Sequence, residues 1–317
     1  MQIKRLVIEN FKSIQKIELE NPNPFTVFVG PNGSGKSTIF EALEFVDISR
    51  GYDSALSLFG GEQSIARVQN PEAEFNFQAT IDNKVYVKSN RSHRSIFKST
   101  ERENDSQAVS QMSNFSRLFV GNRELVKLKV SDDQYLALDA SNLEKVLKRV
   151  LSNQTLRNEI VEWLELFVPE FKAIEVQANP FDGKETLLWY EQHTEKPFTK
   201  DLISDGTYNI LALLTAVYQS DDKPQFLCIE EPENGLHPQV AGELVDFFRI
   251  MCEERGHYIW LNTHSKSMAE RVRPEEFVVV DKKNGATQVQ QFRKEDFFGM
   301  RADEAWLTNS LNGGLAW

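Results

Sequence analysis

A chain of 317 residues with 40% hydrophobic and 26% charged side chains is long enough to bury a large core, as one big domain or as two lobes. Its net charge of −11 excludes a general nucleic-acid coat, so any contact with DNA needs a local basic surface. No apolar run approaches a membrane span; two cysteines, Cys228 and Cys252, imply no disulfide framework, and Met1–Arg5 leads into a strand-like alternation rather than a signal core, which together point to the cytoplasm.

From the N-terminus, Ile3, Leu6 and Ile8, then Ile14, Ile17 and Leu19, alternate as two strands joined through Asn10-Phe11-Lys12-Ser13. Phe25 to Val29 reads as a buried strand, and Ile39, Phe40, Ala42 and Leu43 as the apolar side of a following helix. Residues 73–88 predict a hairpin, with Phe75, Phe77, Ala79 and Ile81 alternating, a turn at Asp82-Asn83-Lys84, and a return through Val85 and Val87. Residues 89–114 are polar and read as a surface loop. Ser141 with Glu144 predicts a capping box opening a helix. A second periodic run spans Leu156 to Phe167 and ends at Pro169. Strands return over 171–198, with a turn at Asp182-Gly183. Phe226–Ile229 is a buried strand, Pro238 to Gly256 a helix, Tyr258–Leu261 and Phe277–Val280 further strands, and Asn284-Gly285 a hairpin turn leading back to Phe292. Strands alternating with helices imply an α/β sheet.

Chemistry concentrates at two places. Gly30 to Thr38, GPNGSGKST, fits the phosphate-loop pattern between a strand and a helix. Its glycines let backbone N–H groups turn toward phosphates, and the helix start adds a positive dipole end. Lys36 is placed to reach β- and γ-phosphates and Ser37 to hold Mg2+. At the end of the strand Phe226–Ile229 stand two acids, Glu230 and Glu231. Burying a strand that ends in paired carboxylates is costly unless a cation sits there, and a magnesium nucleotide supplies one. The pair then serves as a metal-orienting acid and a base for water. By itself, Ser204-Asp205-Gly206-Thr207 reads as a capped helix start and His264 as a surface histidine.

The order phosphate loop, SDGT, EEPENGLHP, NTHS, opened by LVIENFKSIQKIEL, resembles the ABC-type ATPases of the SMC/RecF class, and within them the ATPase domain of OLD-like nucleases and their stand-alone relatives. The resemblance spans essentially the whole chain. It implies an α/β ATPase head with a mostly parallel core sheet, an N-terminal antiparallel β subdomain and a helical lobe. Residues 1–140 would form the first lobe with the phosphate loop, 141–222 the helical and signature lobe, and 223–317 the return to the core. It further implies that Asn32, Gly33, Ser34, Gly35, Lys36, Ser37 and Thr38 bind ATP, with Lys12 and Ser13 beside the nucleotide. Ser37 and Glu230 attend the Mg2+, Glu231 is the base, and His264 senses the γ-phosphate. Ser204, Asp205, Gly206 and Thr207 act in trans, on the nucleotide of a second copy in an ATP-bound homodimer. Two departures are Glu230 where most ABC proteins have Asp, and Asp205 where most have Gly. The Q-loop glutamine is open among Gln63, Gln69, Gln107 and Gln111.

The expected function is an ATP-driven dimerisation switch in DNA repair or anti-phage defence. Lys88, Arg91, Arg94 and Lys98 form the basic segment that could meet double-stranded DNA, or a solvated loop flank. The chain ends soon after its last strand, so the expected nuclease or toxin effector is a separate protein. A membrane-transporter ATPase subunit and a non-hydrolysing nucleotide scaffold are the alternatives; the NFKS opening and the intact Glu231 and His264, respectively, argue against them.

Overall fold

The computed structural model describes residues 2–48, 52–67, 69–82, 84–89, 114–120, 132–178, 183–297, 299–308 and 310–311. Its centre is a six-stranded sheet built from β3 (Phe25–Val29), β6 (Phe115–Leu118), β9 (Phe226–Glu230), β10 (Tyr258–Asn262), β11 (Phe277–Lys283) and β12 (Ala286–Gln291). The order is β12-β11-β3-β10-β9-β6. All neighbours pair in parallel except β11 and β12, which form the hairpin expected at Asn284-Gly285. Both turn residues have positive φ, 51° and 75°, the conformation a tight hairpin turn demands and asparagine and glycine tolerate.

The strands are apolar on both faces, as a sheet covered on both sides requires. Alternate residues fall into two separate cores. Val27, Val29, Leu227, Ile229, Ile259 and Leu261 face one; Phe28, Phe226, Cys228, Tyr258 and Trp260 face the other. On the first face pack α4 (Leu143–Leu151), α5 (Gln154–Phe167), α6 (Asp205–Tyr218) and α7 (Pro238–Arg255), with the β7–β8 hairpin (Phe171–Ala178, Glu185–Glu191) beyond. On the second lie α1 (Lys36–Ile48), the short α2 (Tyr52–Leu58) and α3 (Glu62–Ile65), and an antiparallel sheet of order β2-β1-β4-β5. Those strands are β1 (Ile3–Phe11), β2 (Ile14–Glu20), β4 (Asn76–Ile81) and β5 (Lys84–Ser89). Short helices α8 (Lys266–Ala269) and α9 (Ala302–Leu307) complete the described chain. Helix α1 is thus sandwiched between two sheets, and its first residues sit at the carboxyl ends of the parallel strands, where open α/β sheets bind ligands.

One expected cap is not formed. Ser141 does not open α4; Asn142 is its N-cap residue and makes no side-chain cap bond. Its amide folds backward instead, accepting from Ala137 N–H (2.7 Å) and donating to the Tyr135 carbonyl (2.9 Å). Satisfying the backbone at buried Leu136 and Ala137 outweighs a helix cap, because the Ala137 N–H has no water to bond. The Pro238 start of α7 and its left-handed Gly256 stop are as expected.

Trp260 joins the central strands, its ring 5.4 Å from Phe28 on β3 and 4.8 Å from Phe226 on β9. Trp260→Ala should cost about 3–5 kcal/mol of stability, read as a lowered denaturant midpoint with little change in m-value.

Candidate nucleotide site

A cleft of about 570 Å3 opens at the strand ends, lined in part by Asn32, Gly33, Gly35, Lys36, Ser37 and Thr38 of the phosphate loop. Lys12 and Ser13, the turn between β1 and β2, line it too, as do Glu231, Asn262, His264 and Lys282. Residues from five separate stretches of sequence therefore converge on one cavity. Lys282 had no motif to mark it.

The loop is braced from behind. Gly30 has φ +154°, and a Cβ there would stand 2.0 Å from the Val280 carbonyl oxygen. At Gly35, φ +106°, a Cβ would meet Thr287 Oγ1 at 2.2 Å. Thr287 in turn donates its hydroxyl to the Ser34 carbonyl (2.9 Å), shares a hydrogen bond with Ser13 Oγ (2.8 Å) and donates its N–H to the Ser13 carbonyl (2.9 Å). The β11–β12 hairpin so ties the phosphate loop to the N-terminal sheet.

Lys36 is 6% exposed and donates to the carbonyls of Gly30 (2.9 Å) and Pro31 (3.2 Å). Burial pulls its pKa down to about 8, against the attraction of Glu231, Glu230 and Glu233. Ser34 Oγ is buried with no hydrogen-bond partner. A desolvated cation and an orphan hydroxyl in a glycine-rich loop at a helix start fit an anionic ligand.

Glu230 is 2% exposed. Its Oε2 accepts from Ser37 Oγ (2.5 Å) and Asn262 Nδ2 (3.3 Å). Its Oε1 is taken by Arg117, whose Nε lies 2.6 Å away and whose Nη2 also donates to it. Arg117 Nη1 reaches Glu44 on α1 (2.6 Å). Burial opposes the guanidinium charge, yet the Glu230 and Glu44 carboxylates raise its pKa above the ordinary arginine value. Among the described residues no group of three or more His, Cys, Asp or Glu is arranged to hold a metal by itself. The Ser37 hydroxyl and one carboxylate suit Mg2+, which keeps waters and takes its remaining ligands from substrate phosphates.

Glu231 has φ 46°, unusual for a side chain with a Cβ. Its N–H donates to both the backbone oxygen and Oδ1 of Asn262, at 3.1 Å each, which fixes that turn. Its Oε2 accepts from Asn234 Nδ2 (3.0 Å). Glu233 braces the opposite wall: its Oε1 accepts from Thr263 Oγ1 (2.6 Å) and from His264 N–H (2.9 Å), and burial raises its pKa. Partial burial and then the nearby Lys36 lower the His264 pKa, with Glu231 opposing, so the imidazole is neutral at pH 7.

Ser204 to Thr207 do not line this cleft. Ser204 is the exposed N-cap of α6, its Oγ accepting from Thr207 N–H (3.0 Å), and Asp205 is exposed in the first turn, where a carboxylate complements the helix dipole. This helix start is locked to the turn after Glu231. Asn209 Nδ2 donates to the Asn234 carbonyl (2.5 Å), and a Cβ on Gly206 would lie 2.4 Å from the Gly235 oxygen.

Of the glutamines open for the Q-loop, Gln63 is on α3, Gln69 donates to the Gly285 carbonyl (3.3 Å), and Gln107 and Gln111 lie outside the described residues. Of the basic segment, Lys88 is on β5 and donates to the Val46 carbonyl (2.9 Å), while Arg91, Arg94 and Lys98 lie outside the described residues. Among the described residues no helix is long and apolar enough to cross a membrane.

The burial of Lys36 has a measurable sign. Below pH 8 both folded and unfolded chains carry its charge and the burial cost is present in full. Between that pH and the ordinary lysine value near 10.5 the unfolded chain binds more protons, so the stability contribution improves as pH rises. Without nucleotide, Lys36→Met should therefore melt higher than wild type at pH 7, by roughly 1–3 kcal/mol after the two lost hydrogen bonds are set against the burial cost. The gap should close by about pH 10, as thermal unfolding at the two pH values will read.

Residues 25–267 match the family described as "AAA domain, putative AbiEii toxin, Type IV TA system". The "DNA replication and repair protein RecF" of Pasteurella multocida is 42% identical over 57 residues, which are 18% of this chain and 16% of that protein. The protein of the same name from Lactococcus lactis is 24% identical over 263 residues, 73% of each chain. Among solved structures, an SMC head bound to the C-winged helix domain of ScpA superposes with TM-score 0.60 at 16% identity, covering 92% of this chain and 98% of that one, a likeness of fold.

Proposed function

The chain belongs to that AAA-domain family, within the SMC/RecF class of ABC-type ATPases, and on this footing we propose that it is an ATP-hydrolysing switch whose two copies close head to tail over nucleotide. The observation that carries the reading is the convergence of Lys36, Ser37, Glu231 and His264 at one cleft, with Glu230 bonded to Ser37 behind them. Lys36 draws the β- and γ-phosphates into the loop, where the backbone N–H groups and the start of α1 meet them. Ser37 would hold Mg2+, with Glu230 behind it, and the bound ion would supply charge neutralisation at the phosphate oxygens. Glu231, fixed by Asn262 and Asn234, accepts a hydrogen bond from the attacking water and orients it in line with the γ-phosphate. His264, neutral and donating, contacts the γ-phosphate edge.

The same reading has the SDGT segment complete the partner's site. Its helix start is exposed, does not line its own cleft, and carries an N-cap hydroxyl, a feature an anion could meet. Lys12 and Ser13 flank the nucleotide. The family's printed description names a toxin system, and the RecF relatives are named for DNA replication and repair. With the OLD-like order of motifs, these support a regulatory ATPase in DNA repair or anti-phage defence, acting with a separate effector protein.

Steady-state ATP hydrolysis by the purified chain, with and without linear double-stranded DNA at two salt concentrations, tests the reading. Turnover is expected, and salt-sensitive stimulation would assign the DNA contact to this chain. An absence of nucleotide binding would overturn it. Glu231→Gln should bind ATP, lose at least about 100-fold in turnover and accumulate as a dimer in size exclusion; a wild-type rate would remove Glu231 as the base. Ser204→Arg should bind ATP as wild type does but fail to turn it over, and unchanged turnover would argue against completion of the site in trans.

A further inference from the structure

No sequence motif marks the side chain that holds Glu230 from behind, which is Arg117. Arg117 comes from β6, the edge strand beside β9, in register with Cys228 and on the same sheet face as Glu230. Its side chain is 2% exposed and that of Glu230 1%. Two of its nitrogens hold one oxygen of Glu230, and a third holds Glu44. Glu44 stands on α1 seven residues after Ser37, two turns along the same helix face. The far end of this bridge sets how α1 lies against β9. The near end sets which way the Glu230 carboxylate faces.

With Oε1 held by the guanidinium, Oε2 is left toward Ser37 and Asn262. A glutamate is one methylene longer than the aspartate more usual here, so its carboxylate has a further torsion to fix. The arginine restrains it, because Nε and Nη2 both close on Oε1 and fix where that oxygen lies, leaving Oε2 to its other partners. Ser37 then donates its hydroxyl hydrogen to Oε2 and presents its lone pairs to the cleft.

We infer that Arg117 is a positioning residue for the magnesium nucleotide: by clamping Glu230 against β6 and α1 at Glu44, it makes Glu230 the acceptor that orients the Ser37 hydroxyl toward the cation. It touches neither nucleotide nor metal. The inference rests on the nucleotide reading above, and its test separates the two.

The experiment is equilibrium binding of a fluorescent ATP analogue to the full chain, in EDTA and across a Mg2+ titration. Wild-type protein that binds no analogue in either condition would sink the nucleotide reading itself. Given binding, Arg117→Met should keep its EDTA affinity within about twofold, since the phosphate loop and Lys36 are intact, and lose at least about tenfold in the strengthening that Mg2+ confers, the range seen when the partner of a metal-orienting group is removed. Arg117→Lys, which keeps the charge without the fork, should recover only part of it. A folded Arg117→Met with the wild-type Mg2+ dependence would overturn the inference, leaving Arg117 a core ion pair. If Arg117→Met does not fold, Glu44→Gln decides: it retains the Arg117–Glu230 contact while loosening the far anchor, and should weaken the Mg2+ effect about threefold. An unchanged effect there would equally overturn it.

Discussion

A carboxylate buried at the end of an apolar strand is the constraint around which this molecule is arranged. At 2% exposure Glu230 has lost its water and its oxygens need partners from the protein. The demand is answered from three directions: an arginine from the edge strand, a serine from the phosphate-loop helix and an asparagine from the neighbouring strand end. Each partner must then be delivered to within a hydrogen bond of the same atom pair. The strand order β3-β10-β9-β6 does this, setting the phosphate loop, Asn262, Glu230 and Arg117 around one end of the sheet. The β6 edge is therefore part of the polar centre although no recognised motif lies on it.

The second element of order is the antiparallel lobe. It sits over α1 and makes a common core of Phe11, Phe45, Phe59 and Phe75. Through Ser13 and Thr287 it also reaches the phosphate loop. Lys12 lies at the cleft but is not idle there: it pairs with Glu41 on α1 (2.5 Å). The loop is thus clamped between a hairpin at its back and a β-turn at its mouth, with Lys36 and Ser37 adding side-chain bonds of its own.

What could be read from residues alone follows a physical rule. The phosphate loop and the paired acids are legible because each is a local spacing tied to the end of one strand, and the alternating strands because burial on a sheet has period two. Arg117 was not legible. Its strand, Phe115–Leu118, puts a charged residue in the middle of a short apolar run, and the charge becomes tolerable only through partners 113 and 73 positions away. Thr287 and Lys282 escape for the same reason, lying in an ordinary hairpin that only the fold brings to the cleft. The capping expectation at Ser141 failed in the opposite sense. The local pattern was present, but the neighbouring loop 132–137 claimed the Asn142 amide. The helices Tyr52–Leu58 and Glu62–Ile65 went unremarked because each is too short to show a period.

The approach of Gly206 to Gly235 is a contact made wholly of backbone. Side chains cushion motion, because a rotamer can shift while the main chain stays put. Between Gly206 and the Gly235 oxygen no side chain intervenes, and the Asn209 amide adds a second tie from α6 to the same turn. A displacement of one segment therefore bears directly on the other. The start of α6 and the turn that follows Glu231 are in that sense a single mechanical part.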